Sequence, residues 1–488
     1  MPHHNPDKSS ERAYALRIDV EDGYPKLKAD VDKLREAFPD QVKFSRKQTY
    51  ALPSGEVIKL RASVMITPGK KHDGFYVLGD QLGKGGFSRV KQVAYRRKDG
   101  AIDQGEVVKI TVPKRDSVKS TANMVQTESC VVGTIDNIRL VLKRLAKEDR
   151  QKYYMSMKKR KGENLLLCRD NTNFLSFVEI IDILQKIHAA VRDFHAQGLI
   201  HGDIKLSNIM ISYDEHGVLQ VELVDFAFAK KHGEQLSYRG TNCFIHPDLY
   251  LWQYAPKDLP EDLPADLFKP HTLQHECAGS WIDAHALAAV FGQLLFKEKD
   301  ACIHTKRENY NPGYSQKYHT HRLYPYNFED EYFWPQVPEE CRAILIALMK
   351  HLEGRRVGYT YELTHEQVAA CLLLLRYSAE AKVIEPQEIA RISALIVDHP
   401  NLRDTQLAEQ VSKLADGLNE LAKAQLADDS GIADDYVMVE RPSQPASTSV
   451  FARVCSLFGR AGAPRPFTVD EPPESLRQAA CGVGKGTK

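Results

Sequence analysis

Apolar residues recur at helical spacing near the start of the chain, at Leu27, Val31, Leu34 and Phe38, and Pro39-Asp40 ends the run, which predicts a helix over 26–38. Two short runs, 49–52 and 56–60, flank Pro53-Ser54-Gly55 and predict a β-hairpin, because proline and glycine supply the dihedrals of a turn. This extension reads as a layer beside the next domain. From 75 to 110 the pattern is strand-rich, with runs at 76–78, 88–94 and 106–110. Helical spacing follows at 122–135 and 178–197, strand-like runs return at 208–212 and 218–224, and helices are predicted at 282–296, 338–351 and 364–377. A small β-rich part followed by a larger α-rich part predicts an α+β fold with a cleft between the two.

Residues 386–427 form a helical appendix, broken by 401–404. Leu407, Val411, Leu414, Leu418 and Leu421 make a narrow stripe there. Two readings stand: helix 401–427 packs onto the main domain, or it offers a seam to a partner helix. Beyond 428 the chain is polar and rich in Pro and Ser, which predicts disorder. A basic-apolar island at 450–460 makes Cys455 a candidate for membrane contact or acylation. The expected divisions are an extension at 1–70, a main domain at 71–380 (a small lobe at 71–164, a large one at 165–380), the appendix at 381–430 and a tail at 431–488.

Composition narrows the classes. With 43% hydrophobic and 27% charged residues the chain is globular in type, and 66 basic against 65 acidic residues leave a formal charge of +1. Binding nucleic acid through a global basic surface is not indicated. Nine cysteines without a C-x-x-C pair argue against a disulfide framework or zinc knuckle and for a reducing compartment. The apolar stretch 284–296 is interrupted by His285 and Gln293 and is too short to be a transmembrane segment. No secretory signal is visible, so a cytoplasmic location is expected.

Three segments carry chemistry. Leu82-Gly83-Lys84-Gly85-Gly86-Phe87-Ser88-Arg89-Val90 lies between two predicted strands, a context unlike a dinucleotide-binding turn, and its glycines let backbone N–H groups approach phosphate oxygens. Lys109 stands alone in the apolar strand Glu106-Val107-Val108-Lys109-Ile110, with Glu128 in the helical run that follows; a cleft lysine needs a carboxylate to stay charged. In His201-Gly202-Asp203-Ile204-Lys205-Leu206-Ser207-Asn208 and Leu223-Val224-Asp225-Phe226-Ala227, Asp203 can take a proton from a hydroxyl. There too Lys205 can steady a phosphoryl group, and Asn208 and Asp225 can offer oxygens to Mg²⁺.

Across about 75–375 these motifs resemble the eukaryotic-type protein kinase superfamily. The resemblance implies a two-lobed fold, ATP and Mg²⁺ as cofactors, and phosphoryl transfer to a protein substrate. It implies that Gly83, Lys84, Gly85, Gly86, Phe87, Ser88, Val90 and Val107 surround ATP, and that Lys109 grips its phosphates while paired with Glu128. Asp203 would be the catalytic base, Lys205 its neighbour on the phosphoryl group, and Asn208 and Asp225 the metal ligands. Gly240-Thr241, followed by His246-Pro247-Asp248, resembles the end of an activation segment; Asp283 resembles the buried brace of the catalytic loop, and 155–161 the strand and hinge that hold adenine. Lys205 with Thr241 resembles the serine/threonine branch. Several positions depart from the pattern. Gly202 replaces an arginine that reads an activation-loop phosphate, which implies no such requirement. Ala227 replaces a glycine and is expected to restrict the flip of Phe226. Ser88 stands at the third glycine position, Val107 replaces an alanine over adenine, and Asp248 replaces a glutamate. Two alternatives compete: a pseudokinase or scaffold, and a small-molecule kinase of the aminoglycoside or choline type, which shares the His-Gly-Asp spelling. The divergent motifs also resemble bacterial kinases injected into host cells. That implies a type IV secretion signal in the tail, host cytosol as the working compartment and a host protein as substrate.

Overall fold

Helix α1 (Tyr24–Ala37) buries Leu27, Val31 and Leu34 along one stripe, as its spacing predicts. The stripe packs on one face of a six-stranded antiparallel sheet, order β1-β4-β5-β6-β7-β8. Its strands are β1 (Lys43–Phe44), β4 (Ser63–Thr67), β5 (Gly74–Lys84), β6 (Ser88–Arg96), β7 (Ile102–Thr111) and β8 (Tyr153–Lys158). The hairpin β2 (Thr49–Ala51) and β3 (Val57–Lys59) adds Tyr50 and Ile58 to that core. Alternation assigns each residue a side. Val64, Ile66, Val77 and Ala94 face the α1 layer, whereas Met65, Tyr76, Leu78, Val93, Val108, Ile110 and Tyr154 form a second core. The sheet is therefore buried on both faces. That explains why β4 is hard to foresee: Val64-Met65-Ile66 is apolar throughout and shows no period of two. Because β1 and β4 hydrogen-bond into the same sheet as the strands after Gly74, residues 43–67 are part of the small β-rich unit.

The computed structural model describes residues 24–41, 43–67, 74–84, 88–96, 102–112, 118–136, 152–171, 175–235, 240–241, 244–246, 249, 277–297, 328–354, 362–382 and 384–431. They fall into two units, one holding the sheet and the other holding residues 123–135 and those after Lys159. The predicted tail with Cys455, and the secretion signal placed there, lie outside the described residues.

In the larger unit a three-stranded antiparallel sheet, β12-β11-β9, joins β9 (Glu163–Asn164), β11 (Ile209–Tyr213) and β12 (Leu219–Leu223). The short helix α3 (Leu165–Asn171) comes after β9. Helix α4 (Phe177–His195) starts at a capping box in which Ser176 and Glu179 exchange hydrogen bonds. Helix α5 (Trp281–Leu295) is buried almost all round, as its near-continuous apolar sequence requires. Helix α6 (Glu339–Glu353) packs on it, and α7 (His365–Glu380), capped by Thr364 and Gln367, packs on α4.

The appendix folds as α8 (Pro386–Val397) and α9 (Gln406–Gly431), separated by the break expected at 401–404. Helix α9 packs against α6, α7 and α8. The partner-seam reading of helix 401–427 is thereby corrected. Leu407, Val411, Leu414 and Leu418 are buried within the unit together with Ala408, Ala415 and Ala422, while Leu421 lies only partly covered. The buried positions drift from Leu418 to Ala422, the signature of a straight 3.6-residue helix on a broad face and not of a 3.5-residue seam. Leu407→Ala should cost about 2–5 kcal/mol of unfolding free energy, read by denaturant titration; a free docking seam would lose almost nothing. Among the described residues no helix is long and apolar enough to cross a membrane.

Candidate active site

Helix α4 ends at His195, and Gly198, at φ +72°, turns the chain into β10 (Leu199–Ile200). This strand pairs with β13 (Lys230–Lys231), so the segments either side of the β11–β12 hairpin are tied together. Between them run the loop 201–205 and a single 3₁₀ turn, Leu206–Asn208. The Val224 N–H donates to the Asn208 carbonyl at 2.9 Å, which closes the hairpin and sets Asp225 just beyond Asn208's backbone partner. Asp225 is left-handed (φ +69°), a region in which aspartate is among the few side chains tolerated. The next residues form a 3₁₀ turn, Phe226–Phe228, none of them with a positive φ. Ala227 needs no glycine there. Phe226 is buried and stacks on Phe194, ring centroids 5.4 Å apart and planes 9° from parallel.

Asp203 is almost fully buried, and its carboxylate accepts four hydrogen bonds. Oδ1 takes the Thr241 N–H at 2.8 Å and the Thr241 hydroxyl at 2.6 Å. Oδ2 takes Lys205 Nζ at 2.8 Å and Asn208 Nδ2 at 3.0 Å. Lys205 also reaches Thr241 Oγ1 at 2.5 Å. The second Asn208 N–H bond, to the Asp203 carbonyl at 2.9 Å, fixes the amide so that its oxygen turns away from the carboxylate. Asp203 N–H donates to His201 Nδ1 at 3.3 Å, so the other nitrogen of His201 carries the hydrogen that meets the Val224 carbonyl at 3.2 Å.

Under this loop lies Asp283 of α5, which is fully buried. It accepts the His201 N–H at 2.7 Å and the Gly202 N–H at 2.9 Å, and meets His195 Nε2 at 2.8 Å. Burial alone would raise its pKa, but the His195 hydrogen bond, the imidazoles nearby and the Gly202 N–H outweigh it and hold the pKa below the ordinary aspartate value. A buried carboxylate thus grips two successive amides of the loop 201–205. Gly202 adopts φ +74°, and a Cβ there would stand 2.7 Å from the Phe228 carbonyl oxygen. Gly240, at φ +134°, approaches from the other side: its Cβ would lie 2.9 Å from the Gly202 carbonyl oxygen. The left-handed backbone and the close Phe228 carbonyl leave Gly202 no room for a Cβ.

In the small unit Lys109 is buried in β7, opposite Val90 of β6 and Met155 of β8; Val107 is buried two residues earlier on the same side of the strand. Gly83 and Lys84 pair with Val90 and Arg89 where β5 and β6 approach their turn, and register shifts between Leu78 and Gly83 bend β5. Ser88 opens β6 opposite Thr111. Gly85, Gly86 and Phe87 lie outside the described residues, as do Pro247 and Asp248. Glu128 is buried in helix α2 (Val118–Asp136), on the part that groups with the larger unit.

Among the described residues no three His, Cys, Asp or Glu side chains form a metal cage. Mg²⁺ does not need one: it keeps waters and takes one or two protein oxygens beside substrate phosphates. Asn208 and Asp225 lie at the end of the hairpin that the Val224–Asn208 backbone bond closes, and their side-chain oxygens are of the type that demand calls for.

Comparison with known families places this geometry. The family described as Protein kinase domain matches residues 76–368, more than half of the chain. The chain belongs to the protein kinase family. A serine/threonine-protein kinase of Drosophila erecta (GG21441) is 23% identical over 178 residues, 36% of this chain and 23% of that protein. Serine/threonine-protein kinase RAD53 of Saccharomyces cerevisiae is 24% identical over 215 residues, 43% of this chain and 25% of that protein. Sperm motility kinase 2B of Mus musculus is 26% identical over 179 residues, 36% of this chain and 34% of that protein. The matched stretch thus spans about a quarter to a third of these relatives' own length. The α+β, two-lobed kinase reading holds, with a β-rich small unit and a helical large one. Sequence reasoning overlooked the bond from His195 to Asp283.

Proposed function

We propose that this kinase transfers the γ-phosphoryl group of ATP to serine or threonine hydroxyls of protein substrates, with Mg²⁺ neutralising the phosphates. The observation that carries the reading is the Asp203 carboxylate, buried and supplied with four donors by Lys205, Asn208 and Thr241. A carboxylate offers about four lone-pair sites, so all of them are filled. An incoming hydroxyl therefore binds Asp203 as one donor leaves. Lys205 is that donor: its long chain lets it move from Asp203 to a phosphoryl oxygen, which frees Oδ2 for the substrate proton. Lys109 would hold the ATP phosphates, and Asn208 and Asp225 the metal. Most of the rate acceleration would come from positioning and charge neutralisation.

Thr241 favours a protein acceptor over a small aminoalcohol, because this residue of the activation segment touches both Asp203 and Lys205. Gly202, which cannot read an activation-loop phosphate, fits a kinase whose Gly240-Thr241 segment is already docked without modification. Motif spelling extends the proposal to host proteins as acceptors. The test is transfer from γ-labelled ATP to a generic basic protein and, separately, to choline and aminoglycosides, with wild type beside Lys109→Ala. Label on protein from wild type alone is expected; equal label from both, or label on small alcohols only, defeats the reading.

A further inference from the structure

His188 and His195 lie two turns apart on the same face of α4, and His365, the first residue of α7, inserts its ring between them. Ring centroids are 5.1 Å apart for His188 and His365 and 5.0 Å for His195 and His365. The contacts are hydrogen bonds: His188 Nε2 to His365 Nδ1 at 3.1 Å, and His365 Nε2 to His195 Nδ1 at 3.0 Å. His195 Nε2 then meets Asp283. The capping box of Thr364 and Gln367 fixes the start of α7 and so the place of the middle ring.

We propose that His365, backed by His188, is a positioning residue for the catalytic loop: it holds His195 in the tautomer that donates from Nε2 to Asp283, and Asp283 in turn holds the amides of His201 and Gly202 beside Asp203. The direction follows from Asp283. Its carboxylate already accepts two backbone N–H groups, so a neutral His195 presents Nε2–H to it and leaves Nδ1 as an acceptor. His365 must then donate from Nε2 and accept at Nδ1 from His188 Nε2–H. A ring with one donor and one acceptor suits both links. Burial first, and then the neighbouring imidazoles and Arg192, push His188 down to about 3 and His365 down to about 4. Asp193 opposes this weakly for both rings, and Asp283 does so for His365. Both histidines stay neutral at working pH, as a one-way chain of donors needs.

The kinetic part of the proposal rests on the phosphotransfer reading; the tautomer part does not. The test uses the full chain with ¹⁵N-labelled histidine, and reads ring tautomers by long-range ¹H–¹⁵N spectra together with kcat and KM for ATP. Wild type is expected to show Nε2–H at both His195 and His365. His365→Gln places an amide N–H near the lost Nε2–H, so His195 should keep its tautomer and kcat should stay within about twofold of wild type. His365→Leu should release the His195 tautomer and lower kcat about tenfold or more, with KM for ATP unchanged. An Nδ1–H tautomer at His365 in wild type overturns the proposal. So does an unchanged His195 tautomer in His365→Leu, or equal impairment of the Gln and Leu variants. Should wild type transfer no phosphate at all, the function reading fails while the spectra still decide the relay.

Discussion

Asp203→Asn should lower kcat by about 10²–10⁴-fold, the range for loss of a general base, while the affinity for ATP stays within about threefold. The split follows from the site. Under the proposed function Asp203 would face the acceptor hydroxyl, and Lys109 and the loop near Gly83 would make the phosphate contacts. Asparagine keeps the size of the side chain but replaces one acceptor oxygen with an amide NH₂, a donor only. At Oδ1 that NH₂ would face the Thr241 N–H and hydroxyl, and at Oδ2 Lys205 Nζ and Asn208 Nδ2. Either placement sets at least one N–H donor against the amide NH₂, so the variant should also unfold about 1–3 kcal/mol more easily. Steady-state kinetics and nucleotide titration on the same preparation separate the two effects. A kcat within threefold of wild type would remove Asp203 from the chemistry.

Gly202→Ala should destabilise the protein by about 1–3 kcal/mol for its left-handed backbone, and more for the contact with the Phe228 carbonyl, which only a backbone shift relieves. Because Gly202 is gripped by Asp283 and precedes Asp203, that shift moves the base, and kcat should fall by about tenfold or more. Gly217→Ala is the control. Its φ of +76° nearly equals that of Gly202, but a Cβ there meets nothing within 4 Å. The excess loss at Gly202 over Gly217 in thermal melts isolates the close approach. Gly202→Arg should behave no better than Gly202→Ala, since an arginine side chain begins with the same Cβ. An active, stable arginine variant would contradict the backbone reading.

The sequence announces its chemistry more clearly than its packing. Asp203, Asn208 and Asp225 are legible because a loop and a hairpin set them at fixed separations, and local spacing survives without knowledge of tertiary contacts. Leu27, Val31 and Leu34 are legible for a like reason: one face of a helix buried on one side leaves a period. Strand β4 escapes because both of its faces are covered. The stripe from Leu407 to Leu421 leaves two readings open because a docking seam and a helix lying inside its own domain differ by a fraction of a residue per turn. His365 cannot be read at all, since its partners sit on a helix far away in sequence and only the packing of α4 against α7 brings them together. Gly202 looks like a loss in the motif; in the structure it is a consequence of how closely Phe228 and Gly240 approach.

The most direct measurement is phosphoamino-acid analysis after the full chain meets γ-³²P-ATP, Mg²⁺ and a mixture of serine-, threonine- and tyrosine-containing peptides. Label is expected on phosphoserine and phosphothreonine, dependent on Mg²⁺ and absent when EDTA is present or when Asp225→Ala replaces wild type. Label that survives chelation and the Asp225 change, or a wild-type chain that labels nothing, would contradict transfer at this site.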